Sequence, residues 1–329
     1  MSMAKRLKET FKRKMENNKL EERKQLYTLT DAELDAQAEL IHQINTRDKN
    51  VTMGKPFAVI VLGQPGAGKS GVMTYTSQQF PSAISLDIDD FRQYCPRYDE
   101  LKNEDPRVFE TVTGEFARAM IHRLTPRFIN EKYNVVFHKT RGDEAVIYDT
   151  IEPLREHGYD ILFRVMAVHE LESKMSALER SLKQFQNLGF CRWVEQKYHN
   201  THYAGVVDLS EKFEREKLAD VEEVFIRGER INEPVLVYSR VLNPQVMQNP
   251  YMYDANGNAL VGDYNNDKYT GIRNAINNER NVAIESILTG YDERLKKAKA
   301  IAKDTQCERA GEFIAECEQL QANNQKSFI

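Results

Sequence analysis

The sequence predicts an α/β protein: a mostly parallel sheet with helices on both faces, plus helical N-terminal and C-terminal extensions. Short apolar, β-branched runs alternate with helical stretches from Phe57 to about Arg240, the signature of parallel strands joined by helical crossovers. The first run, "FAVIVL" (57–62), is apolar at every position, as strands buried on both faces are. It leads straight into "GQPGAGKS" (63–70), a loop with three glycines that ends on a Lys-Ser pair.

Gly63, Gly66 and Gly68 allow backbone turns that residues with a β-carbon resist, and Lys69 and Ser70 open a helix. The spacing G-x-x-x-x-G-K-[ST] is that of the phosphate-binding P-loop, so the predicted sheet is of the P-loop NTPase type. Gly63, Gln64, Pro65, Gly66, Ala67, Gly68, Lys69 and Ser70 form the expected cradle for ATP. Backbone N–H groups and the helix N-terminus there present partial positive charge to phosphate oxygens. Lys69 is expected to reach the β- and γ-phosphates, and the Ser70 hydroxyl to ligate Mg²⁺. A Gly-rich turn that binds nothing is the alternative; the strand in front and the helix behind disfavour it.

Three segments are expected along the chain. Residues 1–50 read as a charged helical N-terminal segment, with nine Lys/Arg against four Glu between Met1 and Lys24. Thr30 with Glu33 three residues on has the spacing of a capping box, followed by Leu34, Ala38 and Ile41 on one helical face. Residues 51–242 form the P-loop core. Its further strands are "AISLDI" (83–88), "NVVFH" (134–138), "DILFRVMAV" (160–168), "EEVFIR" (222–227) and "VLVYS" (235–239). Residues 243–329 form a C-terminal extension, first loop-rich and then helical from about Ile272, with Leu295, Ala298 and Ile301 at helical spacing.

Bulk properties narrow the classes. At 329 residues the chain has ample length for a core. Hydrophobic residues at 41% and charged residues at 29% are an ordinary soluble balance, and a net charge of -4 argues against a general nucleic-acid binder. No apolar run approaches the ~18 residues of a membrane span, so no membrane partner is expected. "MSMAKRLKETFKRKMENN" lacks the apolar centre of a secretory signal. Cys95, Cys191, Cys307 and Cys317 have no CxxC spacing and suit a reduced, cytoplasmic protein.

In parallel sheets, ligands gather at the carboxyl ends of strands, so polar groups just after strands are candidates for the site. Asp87, Asp89 and Asp90 crowd the end of the second strand, expected beside the first, and strand alternation would set Asp87 and Asp89 on one side. A carboxylate there can take the proton of a hydroxyl attacking the γ-phosphate. The alternative is a helix start in which Asp89 or Asp90 caps "FRQYC". Arg180 lies on the helix "HELESKMSALERSLKQF" and Arg192 follows "NLGFC". Either is a candidate to neutralise the transferring phosphoryl group, or a solvated helix residue, and "QNLGF" between them suits a moving lid.

Together, "GQPGAGKS", "LDIDDFRQYCPRY", the arginine-bearing helix and "RWVEQKYHN" resemble the zeta-toxin kinases over about residues 25–240. The resemblance implies a kinase of a toxin–antitoxin system that phosphorylates a sugar hydroxyl of UDP-N-acetylglucosamine. It implies Asp89 as catalytic base, Arg180 and Arg192 on the phosphates, and an antitoxin as protein partner; Lys69 is read beside them as a catalytic cation, and Asp87 with Ser70 as holding Mg²⁺. The chain departs from the family in having Cys95-Pro96 where His-Pro is usual, and His199-Asn200 where His-Asp is frequent. It departs further after the third strand: where the family usually reads Glu-Gly-Thr and the glutamate holds substrate, this chain reads His138-Lys139-Thr140. An imidazole and a cation in place of a carboxylate suit a more anionic small-molecule acceptor, unless His138 is only a core histidine. Two other readings remain: a kinase of a dinucleotide, antibiotic or polynucleotide end, and a nucleotide-binding interaction protein without turnover. The cationic residues 1–24 are expected to be a docking or packing element rather than a self-inhibitory helix.

Overall fold

The computed structural model describes residues 18–52, 54–139, 145, 147–229, 233–282 and 284–326. In chain order the main elements are α1 (Asp31–Thr46), β1 (Phe57–Leu62), α2 (Lys69–Gln79), β2 (Ile84–Leu86), α3 (Ile88–Phe91), α4 (Pro106–Asn130), β3 (Val135–Lys139), β4 (Asp160–Met166), α5 (Glu170–Leu188), α6 (Gln196–Glu216), β5 (Val221–Arg227), β6 (Pro234–Val241), α7 (Ile272–Val282), α8 (Ile284–Asp304) and α9 (Ala310–Lys326). The chain divides into two compact units, one of residues up to 48 with 87–127, the other of 49–86 with 128–329. No helix among the described residues is long and apolar enough to cross a membrane.

In the first unit, α1 starts at the predicted capping box. The Glu33 N–H donates to Thr30 Oγ1 and the Thr30 N–H to Glu33 Oε2, at 3.3 and 2.8 Å. Ala38 and Ile41 are buried, and Arg123 and Arg127 of α4 pair with Asp31, Asp35 and Glu39 of α1. Most of residues 1–24, on which the docking expectation rests, lie outside the described residues.

The second unit is built on a six-stranded sheet of order β2-β3-β1-β4-β5-β6. β2, β3, β1, β4 and β5 run parallel, and β6 returns antiparallel to β5. Every residue of β1 is buried, and Phe57, Val59 and Val61 pack with Val72 and Met73 of α2 on one face. One expectation changes here: β2 does not lie beside β1. The fully apolar core of β3, Val135 to Phe137, is buried and takes the place next to β1, while the three-residue β2 forms the edge.

Charged groups lock the sheet to its surroundings. Arg164 of β4 is fully buried; its guanidinium donates to Glu223 of β5 at 2.7 Å and to Thr76 and Gln79 of α2 at 2.6 and 2.7 Å. A buried cation is costly unless all its donors are met, and here the pairing fastens α2 to the sheet. The loop-rich stretch after Leu242 belongs to the same core, with Val246, Met252 and Val261 packed among residues of β1, β4 and β5. Asp220 accepts from the Ile161 N–H, Arg155 and Asn243, and buried Asp160 accepts from Asn249.

Burial pushes the Glu222 carboxyl up to about 9, and the Glu214 carboxylate nearby adds to the shift. Its ordinary value is 4.5, so from there up to about 9 the unfolded chain releases a proton that the folded chain keeps. Stability then falls as pH rises through that window, by at most about 1.4 kcal/mol per pH unit. Glu222→Gln removes this titration and should raise the unfolding midpoint by several degrees at pH 8, with the gain shrinking to near nothing at pH 5. Thermal melts across pH check it; a gain independent of pH would refute the assignment.

Candidate active site

The site is organised by the loop between β1 and α2. Gly66 and Gly68 take left-handed backbone (φ 76° and 91°), which lets the loop curl and α2 start at Lys69. A Cβ on Gly66 would come within 2.0 Å of the Ser173 carbonyl oxygen of α5. The loop therefore packs backbone to backbone on that helix. Behind the contact, the Ser173 hydroxyl and His199 Nε2 of α6 are 2.9 Å apart, and burial pushes the fully buried imidazole down to about 4.

Because such a loop turns N–H groups inward, its carbonyls face outward and need donors. The Lys69 ammonium, nearly buried, donates to the Gly63 and Gln64 carbonyls at 2.7 and 3.1 Å. Arg227, the last residue of β5, donates through Nε to the Ala67 carbonyl at 3.2 Å and through Nη2 to the Gly66 carbonyl. The buried Gln64 side chain donates to the Val168 carbonyl at 2.8 Å, and its Oε1 lies 3.4 Å from Nη2 of buried Arg280 on α7. Arg280 in turn sits 3.9 Å over the Tyr203 ring, and burial lowers its pKa.

A cleft of about 470 Å³ opens beside the loop, lined among others by Gly68, Ser70, Met166, Glu172 and Arg227. Ser70 thus presents its hydroxyl where α2 begins. Glu172 of α5 gives one carboxylate oxygen to Arg227 and the other to Arg294 of α8. Arg294 also makes a two-pronged pair with Glu179 at 2.7 and 2.8 Å.

The remaining sequence candidates fall as follows. His138 and Lys139 end β3 and pair with Val61 and Leu62, directly ahead of the loop; Thr140 lies outside the described residues. Arg180 is an exposed residue of α5. Arg192 is exposed too and is drawn back to that helix, its carbonyl accepting from the Ser181 hydroxyl at 2.9 Å and its N–H donating to Gln184 Oε1 at 3.4 Å. "QNLGF" is not a free loop: α5 continues to Leu188, and Gly189 (φ 66°) ends it with an N–H to the Phe185 carbonyl.

Asp87 and Asp89 belong to the first unit. The strand stops at Leu86, so alternation does not place them. Asp87 is itself the N-cap of the short α3, accepting from the Asp89 N–H at 3.0 Å, in place of the expected cap at Asp89 or Asp90. Asp89 is exposed and pairs with Arg92 at 3.0 Å. Arg227 carries a signal in the sequence, its place at the end of a strand, that the motifs do not include; Glu172, Arg280 and Arg294 carry no local signal.

Among known proteins, a family model described as Zeta toxin matches residues 41–240. Toxin PezT of Streptococcus pneumoniae serotype 4 (strain ATCC BAA-334 / TIGR4) is 26% identical over 184 residues, covering 54% of this chain and 73% of that toxin. Toxin zeta of Streptococcus pyogenes is 29% identical over 146 residues, covering 42% of this chain and 50% of that toxin. A solved chain from the work on the PezAT chromosomal toxin–antitoxin system of Streptococcus pneumoniae superposes with a TM-score of 0.60 at 19% identity. It covers 83% of this chain and 98% of that chain, a likeness of fold.

Gly66→Ala sets a methyl against the Ser173 carbonyl at a left-handed position. It should destabilise the protein by about 2 kcal/mol or more, read as a lower midpoint in urea. An unchanged midpoint would mean that the loop and α5 are not in contact.

Proposed function

Because this chain belongs to the zeta toxin family, whose model spans residues 41–240, we propose that it is an ATP- and Mg²⁺-dependent phosphotransferase acting on the hydroxyl of a nucleotide-linked small molecule such as UDP-N-acetylglucosamine. The observation that carries this reading is the loop itself: left-handed glycines, a helix N-terminus and a lysine held among its carbonyls beside an open cleft. Mg²⁺, held by Ser70 and Asp87, would supply charge neutralisation on the phosphates.

The side chains then divide the work. The Lys69 ammonium leaves the Gly63 and Gln64 carbonyls for the β- and γ-phosphate oxygens, exchanging neutral acceptors for charged ones. Asp89 takes the proton of the acceptor hydroxyl. Arg180 and Arg192 balance the negative charge of the transferring group. His138, Lys139 and Thr140 are assigned to the acceptor, for which an imidazole and a cation in place of a carboxylate favour an anionic partner group. The names of the relatives and the toxin–antitoxin system of the solved chain support an antitoxin as protein partner.

The test is ATP consumption by the purified protein with a panel of UDP-sugars and dinucleotides, with products identified by mass spectrometry. Lys69→Ala should lower turnover by about a hundredfold or more, with an unchanged circular-dichroism spectrum. Turnover retained in that variant would sink the reading. Asp89→Asn keeps the shape but cannot take the proton, so it should lose turnover while Mg-ATP affinity stays within about twofold. If Asp87→Asn is the inactive variant and Asp89→Asn works normally, the base has been misassigned.

A further inference from the structure

Every side chain assigned a role above lies before residue 240, as do the residues that line the cleft, yet the ion pairs behind that lining reach beyond it. Glu172 is a carboxylate with its side chain only 18% exposed, in the lining of a cleft built for phosphate. Left uncompensated, it would repel the triphosphate and compete for Arg227, the cation that meets the Gly66 and Ala67 carbonyls. Arg294 prevents both. It takes Glu172 Oε2 at 2.5 Å while Arg227 takes Oε1, and Ser176 accepts from both guanidinium groups at 3.0 and 3.2 Å. The result is a continuous chain of contacts from the phosphate loop through Arg227, Glu172 and Arg294 to Glu179, one residue before Arg180.

α8 is fixed in place for this role. Tyr291, Leu295 and Ala298 pack with Leu171, Met175 and Leu178 of α5, and Lys174 of α5 pairs with Glu316 of α9 at 2.9 Å. We infer that Arg294 is a positioning residue of the nucleotide site: it neutralises Glu172 and leaves Arg227 seated on the phosphate loop, so that the C-terminal helices set nucleotide affinity. The inference rests on reading the cleft as the ATP site.

The experiment is calorimetric titration of Mg-ATP into the full-length wild type, Lys69→Ala, Arg294→Met, Arg294→Lys, Glu172→Gln and the double variant Glu172→Gln/Arg294→Met, each with its unfolding midpoint. Arg294→Met should weaken binding about tenfold, a change of about 1.4 kcal/mol. Arg294→Lys, which keeps the charge, should recover most of the loss. Glu172→Gln should bind at least as tightly as wild type, and the double variant within about twofold of it, because no carboxylate remains to compensate. A merely structural prop predicts the opposite, with loss in the double variant as in Arg294→Met. That result, or wild-type affinity in Arg294→Met, overturns the inference. Should Arg294→Met fail to fold, Glu172→Gln decides alone: weaker binding overturns it. A wild type that takes up no Mg-ATP removes the proposed function and this inference together, and is seen in a separate titration.

Discussion

A phosphate loop that aims its N–H groups at a ligand must turn its carbonyls away from it, and those carbonyls need donors. Leaving a buried carbonyl unmet costs about 1–3 kcal/mol each, so the donors around the loop are as much a part of the site as the residues that face the ligand. Here the loop supplies some itself: the Ala67 N–H bonds to the Gln64 carbonyl and the Gly71 N–H to Gly68. Lys69 meets the Gly63 and Gln64 carbonyls and Arg227 those of Gly66 and Ala67, from opposite ends of the chain's core. Arg227 also meets Glu172 of α5, whose other carboxylate oxygen is taken by Arg294 of α8. The order of dependence runs outward from the loop backbone to α5 and then to α8.

Seen this way, the residues after 242 are not an appendage to the sheet. Val246, Met252 and Val261 sit in the core with β1, and Asn243 and Asn249 bond to Asp220 and Asp160 at the amino ends of β5 and β4. α8 and α9 cover the apolar face of α5, where Trp193 stacks on Phe313 at 4.6 Å. The face of α5 toward the loop is met by Gly66 and His199. A helix held on both sides has little freedom over the length that touches the loop.

What could be read from the sequence was local. β1 and the loop declare themselves through an apolar run and glycine spacing, and α1 through Thr30 and Glu33, because each signal lies within a few residues. The alternation of strands and helices gave the parallel sheet but not its order, since nothing local tells a three-residue strand that it belongs at an edge. Asp87 was read as strand because it follows "AISL", while its carboxylate caps the helix that begins one residue later. The arginines that brace the loop were invisible for a different reason. Arg227 and the Ala67 carbonyl are 160 residues apart, Arg280 and Gln64 216 apart, and Arg294 and Glu172 122 apart. Such pairs exist only once the sheet has brought the ends together.

The packing of α5 also changes along its length. Its last fully buried residue is Leu182, and from Lys183 to Gly189 every residue is exposed or half-buried. Arg180 precedes that point, on the part of the helix held by the loop, α6 and α8. Arg192 follows Gly189, its carbonyl accepting from the Ser181 hydroxyl and its N–H donating to the Gln184 side chain. Two arginines that look alike in sequence thus sit in different mechanical settings. Arg180 rides on the packed part of α5, whereas Arg192 lies beyond the glycine that ends the helix.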